Sequence, residues 1–447
     1  MWGKIVLTGI KNCVLISCRT LALALLALLL GASLCAAKAV KVQQLCVNPS
    51  NSACQPTIQD AVNRANANAV ITVSSGMFHE NVVINPDSKP KKLTLKINGA
   101  GTGSTVVDGG NSGHVLEVGA NTTLTLSGMT ITDGNAGMHG NGGGIDADHD
   151  STLTITYCAI EGNAAAVGGG VYLGGGSLRL TDSVLSDNTA LNDPDNDIGS
   201  AGGGLFIAQH VKRTTIGNST ISGNAANEGG GLLVEGGETT ITASSIIANT
   251  ATPIRLPSNV FFPSLGGGIF VADTSITILD STISGNVAQS ASMFPFTAEG
   301  GGIEVVRAIV TLNNVTIAGN SADRGGGFLI THGKKFAASN SIIADNQHTD
   351  CEGTVVSLGF NLLGDDTCVT ERNNPTDILG GSPLLAPLAL NPPGSTETEA
   401  LTSGSPELKA GNPASPNGKG NHCLPTDQRG VKRVAKACDI GAYQLSL

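Results

Sequence analysis

Three carboxylates are spaced so that they can act together. If Leu116-Glu117-Val118 and Ile145-Asp146-Ala147 are neighbouring parallel strands, Glu117 lies about 4.8 Å from Asp146, and Asp148 sits about 7 Å further along the same face. Carboxylates at such separations serve as acid and base in inverting glycoside hydrolysis, or hold Ca²⁺ through their oxygens. The set is incomplete for either chemistry. A hydrolase needs a proton donor poised against a base, and a lyase needs a cationic base beside its metal. The next copy of the segment offers Tyr172 and Gly174 instead, and Arg179 belongs to a different strand. A solvated acidic rim is the plain alternative for Glu117, Asp146 and Asp148.

The strand position of Asp146 recurs as Tyr172, Phe206, Leu233, Phe270, Glu304 and Leu329. Its neighbours Ile145, Val171, Leu205, Leu232, Ile269, Ile303 and Phe328 supply the inward face, so the outward apolar set exceeds what the core requires. Left exposed, it is a ligand face. Aromatic rings at steps of about 4.8 Å suit sugar rings or an extended peptide. Insertions directly upstream add Phe261 and Phe262, then Met293, Phe294 and Phe296, and an earlier one carries Asp193, Asp195 and Asp197. Those phenylalanines can equally fold down and bury the stripe. His149, His210 and His332 make no consistent ladder and read as surface residues, and no Cys/His spacing of metal type occurs.

What must position these residues is a repeat. Triple glycines stand at 142–144, 168–170, 202–204, 229–231, 266–268, 300–302 and 325–327. Each is followed, 18 to 20 residues after its last glycine, by Asn163, Asn188, Asn224, Asn249, Asn286, Asn320 or Asn346. The return interval varies from 5 residues to 17, so insertions gather at one corner, as in a stacked solenoid. Between triplet and asparagine come three short strands in which apolar residues alternate with Thr, Ser and Gly. Coils of about 25 residues with three strands predict an all-β, parallel β-helix of about ten coils over residues 71–346. The asparagines should stack as an amide ladder, and the glycines should serve the corner rather than a phosphate.

Residues 1–39 read as a signal peptide: Lys4, Lys11 and Arg19 precede the apolar run Leu21–Leu30, and Ala37-Lys38-Ala39 offers a cleavage site. An uncleaved anchor, or lipidation at Cys35, are the alternatives. Cleavage leaves 21 Lys or Arg against 35 Asp or Glu. That balance argues against nucleic acid and anionic membranes as partners, and no membrane span is expected in the mature chain. Seven cysteines remain. Six form short-range pairs that an exported chain can oxidise: Cys46 with Cys54, Cys351 with Cys368, and Cys423 with Cys438. Cys158 occupies the slot of Ser183 and Ser281 and reads as a small buried residue.

Residues 40–70 are expected to form an N-terminal cap. There Thr57 starts a short helix whose stripe Ile58, Ala61, Val62 and Ala65 plugs the first coil. From 347 to 447, prolines interrupt any long strand, which predicts an irregular cap over the last coil, held by two disulfides.

That last segment carries the most specific motifs: Asp350-Cys351, Ser357 to Asp365 (SLGFNLLGD), Ala410-Gly411-Asn412-Pro413, Thr426-Asp427-Gln428-Arg429-Gly430-Val431, and Ala437 to Gln444 (ACDIGAYQ). These resemble the choice-of-anchor Q family of exported bacterial right-handed β-helix proteins. The glycine and asparagine repeats are also similar to those of polymorphic outer-membrane proteins. The resemblance implies a right-handed, pectin-lyase-like solenoid exported to the cell envelope or beyond, without a recognisable C-terminal anchor, and it implies no reaction. The expected function is non-catalytic binding of a polysaccharide or an envelope protein, without cofactor, through Tyr172, Phe206, Leu233, Phe270, Phe261, Phe262, Phe294 and Phe296. Cleavage of a polysaccharide at Glu117, Asp146 and Asp148, with Ca²⁺ as a conceivable ion, is the second reading. A structural surface spacer is the third.

Overall fold

A computed structural model describes residues 42–84, 92–193, 199–255, 261–291, 298–332, 334–370 and 374–445. The expected leader at 1–39 lies outside the described residues, as do Asp195, Asp197, Met293, Phe294, Phe296 and the side chain of Phe261. Val42–Leu447 forms one compact unit.

Each repeat folds into one coil of a parallel β-helix. In the coil beginning at Gly168, Val171–Leu173 joins a ten-stranded sheet, Gly176–Thr181 a thirteen-stranded sheet and Val184–Ser186 a twelve-stranded sheet. Thr189–Ala190 adds to a short five-stranded sheet at the asparagine corner. Inward residues are Val, Ile and Leu, stacked from coil to coil and almost entirely without exposure. Alternation puts them there, and β-branched side chains fit the pleated surface.

The glycine–asparagine pairing has a steric cause. Gly168 has φ +64°, and a Cβ on it would lie 2.4 Å from the Val171 carbonyl oxygen and 2.9 Å from the Tyr172 Cα. The chain thus makes a tight left-handed turn at the first glycine of each triplet, close against the backbone of the strand that follows. A Cβ on Gly170 would stand 2.6 Å from the Gly204 carbonyl and 2.9 Å from the Asn188 side chain. The third glycine therefore makes room for the asparagine. Asn188 Nδ2 donates to Asn224 Oδ1 at 3.0 Å and to the Ile160 carbonyl at 2.9 Å, and the ladder continues through Asn249, Asn286, Asn320 and Asn346. A second ladder runs through hydroxyls. The Cys158 backbone N–H donates to Ser183 Oγ, Ser183 to Ser219, and Ser219 to Ser244, which accounts for the buried thiol in a serine slot.

At the N-terminal end the helix Ile58–Arg64 has Thr57 as its cap, whose Oγ1 accepts from the Asp60 N–H at 3.0 Å. Ile58, Ala61 and Val62 are buried against the core. The Glu80 carboxylate accepts the Ile58 and Gln59 N–H groups, two of the donors that a helix start leaves unpaired.

The C-terminal end differs from expectation in two respects. The stacked sheets do not stop at Asn346 but continue through Leu362–Leu363 to Ile378–Leu379. Cys351–Cys368 closes a loop within these last coils, and of the expected bonds Cys423–Cys438 alone lies in the tail. Nor is the tail simply a lid on the final coil, because it runs back along the flank of the twelve-stranded sheet. Ser395 bonds Asn218, Ser245 donates to the Glu397 carbonyl, Thr282 donates to Gln428, and Asn340 accepts from the Asn412 N–H. Arg433, fully buried, meets Asp280 at 2.8 Å. Polar serines and threonines on that flank supply hydrogen bonds that a strand pairing with the sheet face cannot. The motif Asp427-Gln428-Arg429 is thus docking hardware: Arg429 pairs with Asp427 at 2.7 Å and lies 3.5 Å over the Tyr443 ring.

Candidate functional site

The outward residues of the ten-stranded sheet stack in the register read from the sequence. Glu117 pairs with Asp146, Asp146 with Tyr172, Tyr172 with Phe206, and the row continues through Leu233, Phe270, Glu304 and Leu329. What the register leaves open is which of these positions reach solvent, and here the row divides.

Toward the C-terminal end it is covered. Leu233 is 1% exposed and Phe270 7%, packed in a small cluster with Ala272, Phe206, Leu265 and Val306. Leu329 and Glu304 are equally buried. The expectation that Leu233 and Phe270 touch a ligand is therefore corrected, because Leu265, just before the triplet at 266–268, packs against them. Phe262 is half-buried in a two-stranded antiparallel pair of Ile254–Arg255 with Phe261–Phe262, which is where that insertion goes. Glu304 retains a buried carboxylate oxygen without a partner, and burial holds its carboxyl well above the usual range.

Toward the N-terminal end the row is open. Tyr172 and Phe206 are half-exposed, with ring centroids 5.5 Å apart and planes 15° from parallel, an offset stack that presents a continuous aromatic surface. Asp146 lies one coil below, and Glu117 and Asp148 are exposed beside it. The sequence reading missed His114. It sits in the turn leading into Leu116–Val118, and its Nδ1 donates to the Gly142 carbonyl at 3.0 Å. A carbonyl can only accept, so the neutral ring keeps a free lone pair on Nε2, which faces Asp146 Oδ2 at 3.9 Å. Irregular spacing of the early coils hid this residue, since it falls two positions before a strand that no glycine triplet announces.

Burial pushes the Asp146 carboxyl up to about 6; His114 opposes the rise, and Glu117 and Asp148 add to it. Burial also raises the Tyr172 hydroxyl, reinforced by Asp146, Asp148 and Glu235. Glu235, just past the strand Leu232–Val234, is raised by burial and by Asp273, and Glu228 by burial and by Glu235. His149 is engaged with Asp148 at 2.6 Å. Among the described residues no three His, Cys, Asp or Glu side chains are grouped so as to hold a metal ion. Glu117, Asp146 and Asp148 are spread across and along the strands rather than converging. The arrangement offers an aromatic platform, a fringe of carboxylates, and one carboxyl close to an imidazole.

Comparison with solved structures finds similarity to pectate lyase Pel9A, at 12% identity and TM-score 0.45, over 91% of this chain and 96% of that one. It also finds the PL6 family alginate lyase AlyGC (13%, TM-score 0.36, 88% and 58%) and the A-module of Azotobacter vinelandii mannuronan C-5 epimerase AlgE6 (14%, TM-score 0.30, 72% and 92%). No curated protein matches the sequence. Overlapping segments 82–246 and 143–306 match the family described as right handed beta helix region, and together they span half of the sequence. With the stacked parallel sheets and the asparagine ladder, that match makes the chain a member of the right-handed β-helix family.

Proposed function

We propose that the protein binds a polysaccharide along the open half of the ten-stranded sheet, with Tyr172 and Phe206 as the stacking platform. The observation that carries this reading is the offset, half-exposed ring pair flanked by carboxylates that can accept hydrogen bonds from sugar hydroxyls. The disulfides fit a protein that works outside the reducing cytoplasm, and the resemblance of its C-terminal motifs to exported proteins supports the same location. Among the described residues no helix is long and apolar enough to cross a membrane. Retention of the mature protein on a glycan array tests the proposal. Binding that is lost in Tyr172→Ala supports it, and binding that is unchanged in Tyr172→Ala and Phe206→Ala rejects it.

One observation favours a second reading, cleavage of the bound chain. Asp146, whose carboxyl burial pushes up to about 6, lies 3.9 Å from His114 Nε2, and a group that titrates near the working pH is suited to proton transfer. Product release from a polysaccharide panel, abolished in Asp146→Asn with binding retained, would establish it.

A further inference from the structure

We infer that the glycan held by this face is a cationic one, an amino-sugar polymer carrying free ammonium groups, and not a polyuronate. The inference rests on the polysaccharide reading of the Tyr172–Phe206 platform and specifies what that platform takes.

The charges acting on the Tyr172 hydroxyl are those of Asp146, Asp148 and Glu235. They bracket the ring pair. Asp146 and Asp148 belong to the coil before Tyr172, and Glu235 to the coil after Phe206. Glu117 extends the acidic side by one more coil, and Glu228 lies just before the glycine triplet leading to Leu233. Some acids of the neighbourhood are already matched: Asp150 by Lys212 at 3.0 Å, Asp273 by Arg307 at 2.7 Å, and Asp148 by His149. Glu117, Glu228 and Glu235 have no ion-pair partner among the described residues. Asp146 has a histidine that carries charge only when protonated.

A sugar ring stacked on Tyr172 places its substituents beside Asp146, because successive coils are about 4.8 Å apart. A uronate carboxylate there meets like charge, since among the described residues no Lys or Arg pairs with Asp146, Glu228 or Glu235, and like charges brought together select against a partner. An ammonium group supplies the counter-ion that Asp146, Glu235 and Glu228 lack. Their partial burial strengthens that attraction over what an exposed pair would provide. The net charge of the chain points the same way, with 35 Asp and Glu against 25 Lys and Arg in the full sequence.

The test uses the mature protein and three soluble probes: oligomers of β-1,4-glucosamine, the same oligomers fully N-acetylated, and oligogalacturonate. Titration calorimetry at about pH 6 keeps most glucosamine amines charged while Asp146 is partly ionised. The expected order is glucosamine tighter than N-acetylglucosamine by roughly tenfold or more, with galacturonate weakest, and a preference that collapses in about 0.5 M salt. In an Asp146→Asn, Glu235→Gln double variant the glucosamine and N-acetylglucosamine affinities should converge, whereas Tyr172→Ala should lose both. N-acetylated or galacturonate oligomers binding as tightly as glucosamine, or a preference indifferent to salt, would overturn the inference while leaving the platform intact. If no probe binds, or if Tyr172→Ala binds as wild type does, the platform reading itself fails and this inference with it. The comparison of acetylated with free oligomers needs no variant, so misfolding of a mutant cannot obscure the result.

Discussion

Asp146 sits in surroundings that make a definite pH prediction. A carboxyl raised to about 6 means that the folded protein binds a proton more tightly than the unfolded chain does. The associated stabilisation is complete below about pH 4 and is lost as pH rises through 6. Asp146→Asn removes that dependence. Its melting temperature relative to wild type should therefore rise between pH 4 and pH 8, by the equivalent of 1 to 2 kcal/mol, on the order expected for a partly exposed group. Thermal melts at the two pH values check this, and a difference that falls with pH would contradict it. Tyr172 and Leu233 occupy the same strand position two coils apart, yet their substitution should have separate effects. On the binding proposal, Tyr172→Ala should abolish glycan retention with little change in stability. Leu233→Ala should leave affinity unchanged and cost roughly 2–5 kcal/mol in denaturant titrations, because that side chain is 1% exposed.

The coil depends on the pairing of asparagine with glycine. Asn224 donates to the Leu185 carbonyl at 3.0 Å and to Asn249 at 2.9 Å, and accepts from Asn188. Asn224→Ala should cost about 2–4 kcal/mol by orphaning buried groups in two coils at once. A Cβ at Gly204 would lie 2.7 Å from the Gly231 carbonyl, so Gly204→Ala should be at least as damaging despite adding a single methyl group. Chemical denaturation of both variants tests the claim. The tail is a second element with its own pH response. Glu407 is buried in the contact between tail and coils, and neither of its carboxylate oxygens has a partner. Burial raises its carboxyl to about 7, and Asp345 and Asp439 add to that. By the same sign, the stabilisation it provides is full below about pH 4.5 and fades as pH rises through 7. Glu407→Gln should make the protein more stable than wild type above pH 7, and no more stable at pH 4, as read by thermal melts.

For the molecule as a whole, the tail ties together coils far apart in sequence. Arg433 and Asp280 are 153 residues apart and form a buried pair reinforced by carbonyls of Thr426 and Gly441. Arg433→Ala leaves Asp280 buried without its counter-charge, which typically costs 3–5 kcal/mol. Limited proteolysis should then cut between residues 380 and 445 at least tenfold faster, while the coils stay resistant because each is held by its neighbours. Equal cleavage rates in wild type and variant would show that the tail is anchored elsewhere.

The coil order, the row from Asp146 to Leu329, the asparagine ladder and all three disulfides were legible in the sequence. Each follows from local periodicity, and in a solenoid local periodicity fixes which residues stack. Three things were not legible. His114 reaches Asp146 from a turn outside any repeat. Leu233 and Phe270 lose solvent because Leu265, just before a triplet, packs against them, a contact that spacing does not encode. The tail's path along the flank depends on contacts between residues more than a hundred positions apart, such as Thr282 with Gln428. Periodicity determines neighbours along the stack, whereas exposure and long-range docking are properties of the packed volume, and only the tertiary structure decides them.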